Sequence, residues 1–317
     1  MRVLVTGGTG YLGQAIVRAL VARGHEPVVF ARSAAASGLP GRLVDGDVRD
    51  RAALDRAADG CDAICHSAAL VSLWRRRRMD FDELNVGGLV NVLEVARARR
   101  VARIVYTSSF LARPPAGASS PLACNDYQRT KVQADAIAAK AAAAGAPIVR
   151  VYPGVVYGPG PATEGNLIGR LVAEHLAGKL PGLIGADRPW SYAFVDDVAA
   201  GHVAALERAD AGGQYVLGGE NAPQMRVFEI VRELTGRPLP RRIPFALAAM
   251  AGALEEARAA IGRTPPRLTR GAVAIFRHDW SLDSSRAIHA LGYRVTPLST
   301  GLSRTLEGLS CLPKTVA

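Results

Sequence analysis

Three glycines at intervals of three, Gly7, Gly10 and Gly13, lie between an apolar run, Arg2 to Thr6, and a segment of helical period that runs from Tyr11 to about Arg23 and stops at Gly24. No other feature constrains the fold as strongly. Glycine lets a backbone turn tightly and come close to a pyrophosphate, and the start of a helix offers unpaired N–H groups with a partial positive charge. Strand, turn and helix in this order predict the opening unit of a dinucleotide-binding sheet, with Gly7, Thr9, Gly10, Tyr11 and Leu12 as candidate contacts. The competing reading is a tight turn with no ligand.

The first half of the chain repeats the pattern. Apolar β runs at Glu26 to Ala31, Arg42 to Asp45, Ala63 to His66, Ile104 to Ser108 and Ile148 to Tyr152 are separated by helical or loop segments. Leu84, Leu89, Val92, Leu93 and Val95 recur at helical spacing in a helix expected over Asn85 to Arg100. An alanine-rich helix is expected from Tyr127 to Ala144, stopped by Gly145 and Pro147. Strands alternating with helices imply an α/β fold, a Rossmann-type doubly wound parallel sheet covered on both faces. Beyond Tyr152 a loop crowded with Pro153, Gly154, Gly158, Pro159, Gly160 and Pro161 marks an exit from the sheet. Helices are expected at 166–178, 196–208, 226–235, 245–261 and 284–291, with few strands between them. The 317 residues therefore divide into a nucleotide-binding domain, residues 1–160 with 190–220 returning to it, and a smaller, mostly helical C-terminal substrate lobe, residues 161–189 and 221–317.

A formal charge of +11 would suit a polyanion, but the arginines are scattered from Arg2 to Arg304 and aromatic residues make up only 6%, so no nucleic-acid partner is expected. The densest basic run, Arg75 to Arg78, reads as a solvated helix face, with attraction of phosphate or an anionic substrate as the alternative. Cys61, Cys65, Cys124 and Cys311 form no C-x-x-C pair and have no histidine cluster at zinc-ligand spacing, so no metal site is expected. Cys61 and Cys65 are placed inside one apparent strand, as buried thiols of a reducing compartment. The first residues enter a strand without the apolar core of a signal peptide. The longest apolar stretch, Phe245 to Leu254, is too short for a bilayer and meets Glu255 and Glu256. A cytoplasmic protein without a membrane span is expected.

Where the second strand ends, a carboxylate would accept hydrogen bonds from the adenosine ribose of NAD, but the chain reads Phe30-Ala31-Arg32-Ser33. Arg32 with Ser33 suits a 2′-phosphate by charge and by its fork of donors, so NADP(H) is favoured over NAD(H) as the cofactor; an exposed arginine with no cofactor role is the alternative. Tyr127 and Lys131, four residues apart, share one face of a helix. A free phenol has a pKa of about 10 and is a poor base, and a neighbouring lysine charge is expected to stabilise its phenolate. Upstream, Tyr106-Thr107-Ser108-Ser109 closes a strand where open α/β sheets present groups to ligands. Neighbouring strand residues face opposite ways, so one of Ser108 and Ser109 is expected to hold a substrate carbonyl beside Tyr127.

With glycine turn, Ser-Ser strand end, Tyr-x-x-x-Lys pair and Pro-Gly loop in this order, the chain resembles the extended short-chain dehydrogenase/reductases of the NAD-dependent epimerase/dehydratase superfamily, in the branch of dihydroflavonol reductases and 3β-hydroxysteroid dehydrogenases. The resemblance runs through Thr6 to Gly13, Gly46-Asp47-Val48, His66-Ser67-Ala68-Ala69, Asn85-Val86-Gly87-Gly88, Tyr106 to Ser109, Tyr127 to Lys131, Val156 to Gly160 and Phe194 to Val198, nearly the whole chain. It implies that Asp47 and Val48 meet the adenine, Ala68 and Ala69 line the cofactor cleft, Asn85 approaches the pyrophosphate and Pro153 lies near the nicotinamide. It makes Ser109 the catalytic serine, beside Tyr127 and Lys131, and lets Lys131 hold the nicotinamide ribose. Alternatives stay open: a helix cap for Asp47, a cap or a bond to buried backbone for Asn85. For Asp196 and Asp197 the N-cap reading is preferred, and His66 is expected to pack rather than react. Only 17 residues separate Ser109 from Tyr127, fewer than relatives carry, and Pro114, Pro115 and Pro121 stiffen them, which suggests a more open pocket.

The function implied is an NADPH-dependent reductase or dehydrogenase interconverting a ketone or aldehyde and an alcohol. Pro161, Leu167, Ile168, Leu183, Trp190, Tyr192 and Phe194 belong either to an apolar pocket, which suits a small hydrophobic substrate, or to the lobe's own core. One rival is a nucleotide-sugar epimerase with retained NAD, against which Arg32 speaks. The other is a non-catalytic dinucleotide-binding sensor or scaffold, which has no need of Tyr127 and Lys131. A homodimer through the helices bearing Asn85 and Tyr127 would match many relatives.

Overall fold

Val3, Leu4 and Val5 are all fully buried, as a strand covered on both faces requires. The computed structural model, which describes residues 1–161, 163–262 and 264–310, places them in β1 (Arg2–Thr6). There follow α1 (Tyr11–Ala22), β2 (Glu26–Ala31), β3 (Arg42–Asp45), α2 (Arg51–Ala57), β4 (Ala63–His66), α3 (Met79–Phe81), α4 (Gly88–Ala98), β5 (Arg103–Thr107), α5 (Asp126–Ala143) and β6 (Ile148–Pro153). The remainder comprises β7 (Val155–Tyr157), α6 (Leu167–Leu176), β8 (Leu183–Ile184), β9 (Pro189–Phe194), α7 (Val195–Arg208), β10 (Gln214–Leu217), β11 (Glu220–Pro223), α8 (Gln224–Thr235), β12 (Arg242–Ile243), α9 (Phe245–Ile261), α10 (Arg270–Phe276), α11 (Ser285–Leu291) and α12 (Leu298–Ser310).

Seven strands form one parallel sheet in the order β10-β6-β5-β4-β1-β2-β3. The order reverses between β1 and β4, which opens a crevice at the carboxyl ends of the strands. One face packs on α1, α7 and α11, through residues such as Ile16, Val203 and Leu291. The other packs on α2, α4 and α5, through Leu54, Val92 and Ala138. A third core, around Trp190, Tyr192, Phe228 and Trp280, belongs to the lobe.

Several expectations need correction. The helix expected over 85–100 starts instead with Met79–Phe81 and a π-helical stretch, Asp82–Gly87, before α4 begins at Gly88. Apolar periodicity does not announce a π turn. Outside the seven-stranded sheet there is more strand than the periodicities predict: β11-β9-β7 form a three-stranded sheet and β12-β8 a two-stranded one. β7, β8 and β12 are only two or three residues long and carry no legible alternation. Arg75 to Arg78 lie in the loop leading into α3, not on a helix face; Arg77 pairs with Asp80 and Glu83, and Arg78 with Asp126. Asp196 and Asp197 do not cap α7, whose cap position is Phe194. Asp197 instead accepts from Thr296 N and Oγ1 at 2.7 and 3.0 Å, and Asp196 pairs with Arg304 at 3.0 Å, which ties α7 to the C-terminal segment. Cys61 precedes β4 rather than lying in it; its thiol and that of Cys65 are buried and free, and Cys311 lies outside the described residues. Among the described residues no cluster of His, Cys, Asp and Glu could hold a metal, and no helix is long and apolar enough to cross a membrane.

Candidate active site

The segments that leave β1, β4, β5 and β6 converge on a cleft of about 670 Å³. The first of them is the glycine turn. Gly7 has φ of 70°, and a Cβ on Gly13 would lie 2.1 Å from the Gly7 carbonyl oxygen, so only glycine lets α1 start this close to the turn. A Cβ on Gly10 would meet only that same oxygen, at 3.1 Å, and Gly10 lines the cleft. No side chain caps α1 and no acidic residue stands in its first turn. Its first amides are therefore free for an anion, and the cradle fits the pyrophosphate of a dinucleotide.

Thr9, Tyr11 and Leu12 line the same cleft, as do Arg32 and Ser33 beyond β2, Asp47 and Val48 beyond β3, Ala68 and Ala69 beyond β4, and Pro153 at the end of β6. Arg32 is exposed and makes no hydrogen bond or ion pair among the described residues. Asp47 accepts from Arg49 Nε and Nη2 at 3.0 and 2.7 Å, and this pair holds its carboxyl below the usual range. Asp50, not Asp47, caps α2.

Asn85 is not brought to the cleft. It is 3% exposed, and its side chain is consumed by neighbours: Oδ1 accepts from Leu70 N at 2.7 Å and Nδ2 donates to Thr130 Oγ1 at 3.0 Å. It fastens the loop after β4 to α5, which places it behind the cleft wall.

Ser109, Tyr127 and Lys131 line the cleft where β5 ends and α5 begins. Asn125 caps α5, accepting from Gln128 N at 2.8 Å. The fully buried Gln128 donates to Leu111 O at 3.1 Å and accepts from Cys124 N at 3.0 Å, which clamps the shortened loop and sets Tyr127 beside Ser109. The Ser109 side chain lies near enough to the Tyr127 phenol to favour its ionised form, and its Oγ accepts from Leu111 N at 3.2 Å. Ser108 turns the other way, donating to Asp135 Oδ1 at 2.8 Å, as strand alternation requires. Lys131, buried, donates from Nζ to Thr107 O at 2.9 Å and lies 5.4 Å from the centre of the Tyr106 ring.

Burial pushes the Tyr127 phenol up to about 12, with the neighbouring Ser109 hydroxyl working the other way. The expected stabilised phenolate is therefore not found: the lysine charge is directed at the strand end, and desolvation prevails. Burial pulls Lys131 down to about 8, and the charge of Asp135 opposes that fall. At neutral pH the phenol keeps its proton and the lysine is mostly charged. His66 is buried, with Nδ1 2.7 Å from Thr6 Oγ1 and its ring stacked on Tyr106; burial, then the Lys131 charge, lowers it to about 3. It is a neutral packing group behind the cleft.

Sequence reasoning missed Gln128 and Asp135. Asp135 stands four residues beyond Lys131 and also accepts from Tyr152 Oη at 3.1 Å and Arg150 Nη1 at 3.3 Å, so spacing on the helix was the one available signal. The opposite wall belongs to the lobe: Leu167, Trp190, Ile275 and Phe276 line it, with Trp190 stacked on Phe276 at 4.8 Å. Of the other residues expected to line a pocket, Ile168, Leu183, Tyr192 and Phe194 lie in the lobe core and Pro161 is exposed outside the cleft. Glu164 and Arg170 bring unforeseen charges to this wall.

Residues 3–218 match the model of the NAD dependent epimerase/dehydratase family. The chain belongs to that family. This epimerase/dehydratase homologue is 32% identical to sterol demethylase protein B of Methylococcus capsulatus over 95% of each chain. It is 31% identical to the 4-hydroxy-2-methyl-3-oxo-4-farnesyl-3,4-dihydroquinoline-1-oxide ketoreductase of Stigmatella aurantiaca over 93% of each. Among solved structures it is similar to the dTDP-glucose 4,6-dehydratase DesIV of Streptomyces venezuelae with NAD and TYD bound, at a TM-score of 0.78 and 26% identity over 98% of this chain and 97% of that one.

Proposed function

We propose that this oxidoreductase is an NADPH-dependent reductase that interconverts an apolar ketone or aldehyde and its alcohol. The observation that carries the reading is the placement of Ser109, Tyr127 and Lys131, the last one helical turn from the phenol, together on the lining of a dinucleotide-shaped cleft. NADPH, when bound, supplies the hydride. Gly7, Thr9, Gly10, Tyr11 and Leu12 would hold its diphosphate, Asp47 and Val48 its adenine, and Ala68, Ala69 and Pro153 the walls toward its nicotinamide. Arg32, which makes no hydrogen bond or ion pair among the described residues, and Ser33 would take the 2′-phosphate. Ser109 orients the carbonyl oxygen and Tyr127 donates a proton to it. Lys131, anchored on Thr107, holds the nicotinamide ribose and keeps a positive charge near the developing alkoxide. The aromatic lobe wall supports a hydrophobic substrate over a nucleotide sugar.

The test follows NADPH oxidation at the nicotinamide absorbance with steroid, flavonoid, aryl and alkyl ketones. Tyr127→Phe should lower turnover by about 10²- to 10⁴-fold with NADPH binding intact. Near-normal turnover would overturn the assignment. Tightly held NAD in the purified protein, with no carbonyl reduced, would support the epimerase reading instead.

A further inference from the structure

The helix α9 buries its small residues and exposes its large ones. Ala248, Gly252 and Ala259 face the protein, and Gly252 sits so close to α10 that a Cβ there would lie 3.0 Å from the Arg270 backbone nitrogen. Leu247, Met250, Leu254 and Ile261 are 58%, 69%, 72% and 94% exposed. At about 100° per residue these four fall on one stripe, roughly 20 Å long. A helix on an ordinary protein surface does the reverse, and a continuous apolar stripe marks a contact face.

Charge selects the occupant. Residues 237–277 hold eight arginines against two acidic residues, more than half of the net charge of +11. Arg241 and Arg242 precede the helix and are exposed, Arg242 in a surface ion pair with Asp187; Arg258 borders the stripe, and Arg267 and Arg270 lie just beyond it. Both acids are engaged on the side of the following loop, Glu255 by Arg258 and by Arg267 N at 3.0 Å, Glu256 by Arg270 at 2.7 Å. A second copy placed across a two-fold axis would set this positive face against itself. Anionic headgroups would neutralise it while acyl chains cover the leucines. The helix also packs on α10, whose Ala272, Ile275 and Phe276 line the cleft, so the face adjoins the apolar wall.

We propose that α9 is an interfacial helix that docks this protein on an anionic membrane surface, lying in the headgroup plane without spanning it. The face is independent of the reaction, because binding is read without substrate. The full chain is floated with vesicles of phosphatidylcholine, with and without phosphatidylglycerol, at low and high salt. The wild type should float with the phosphatidylglycerol vesicles and less so in high salt. Met250→Glu/Leu254→Glu should reduce flotation by about tenfold or more, and Arg241→Gln/Arg242→Gln by a smaller factor. Both variants change exposed side chains and should melt at the wild-type temperature, which separates lost docking from lost folding. A wild type that stays with neither vesicle, or a glutamate variant that floats as well as the wild type, overturns the proposal. So does a wild-type dimer in light scattering that the glutamate variant splits while neither floats, since that outcome gives the face to a second copy.

Discussion

The sheet wall of the cleft and the lobe wall opposite it are held in place by different means. On the sheet wall the geometry resides in the backbone: Gly7, Gly10 and Gly13 shape the turn, and Thr107 O anchors Lys131. On the lobe wall it resides in side-chain packing, Trp190 on Phe276 and Phe110 against Trp280 at 5.3 Å. Backbone contacts cannot yield to a substitution, whereas packed side chains relax. One wall should therefore fail sharply and the other by degrees. Gly13→Ala probes the sharp case. Its Cβ would lie 2.1 Å from Gly7 O and 2.8 Å from Gly8 Cα. The variant should lose stability by about 3 kcal/mol and lose NADPH binding altogether, read by calorimetry and by nicotinamide fluorescence. Wild-type melting with full binding would mean that the turn is soft and the contrast false.

The same contrast explains what the sequence disclosed. The glycine turn and the first strands were legible because each residue there carries its own constraint, a φ or a close backbone approach that favours glycine, or a strand apolar on both faces. Tyr127, Lys131 and Ser109 were singled out by order and spacing, and all three line the cleft. For Asn85 the sequence left a cofactor contact and a bond to buried backbone open, and the structure shows the second, because a π turn and a bracket to Leu70 and Thr130 depend on partners distant in sequence. The sign of the Tyr127 shift was missed for a related reason: burial belongs to the fold, and one residue pair in a string cannot report it. Trp190 was ambiguous between core and pocket, and it is both, 2% exposed yet part of the cleft wall. The short strands β8 and β12 escaped notice because two residues show no period.

Arg32 tests whether the sheet wall also selects the cofactor. It is exposed and unpaired, so its removal leaves the fold alone. Arg32→Ala should raise KM for NADPH by about 10- to 100-fold, the worth of a charge-assisted bond, and leave KM for NADH nearly unchanged. Equal effects on both coenzymes would move the 2′-phosphate elsewhere. Phe276→Ala, on the lobe wall, should show the opposite selectivity. A truncated pocket residue costs about 1–3 kcal/mol of substrate discrimination, so KM for an apolar ketone should rise by about tenfold while KM for NADPH holds. A change in the NADPH constant would show that the two walls are not separable.

The smallest expected effect lies behind the sheet wall. Lys131 is held near 8 by burial, and Asp135, one helical turn on, opposes the fall. Around the pair stand His66 on β4, Tyr106 and Ser108 at the end of β5, Tyr127 on α5 itself, and Arg150 and Tyr152 on β6. Of these His66, lowered to about 3, and Tyr127, raised to about 12, do not titrate between pH 6 and 9. Lys131 is left to set the profile: kcat for reduction should be flat through neutrality and fall as pH rises through about 8, where the ammonium loses its proton. Asp135→Asn removes the negative charge that sustains the ammonium, so Lys131 titrates lower and the fall begins at lower pH. At pH 8 the variant should retain a few-fold less activity than the wild type, and near pH 6 the two should converge, with KM for NADPH unchanged. A uniform loss at every pH would instead make Asp135 a structural bracket for Ser108, Arg150 and Tyr152, and would leave Lys131 sustained by the Thr107 carbonyl alone.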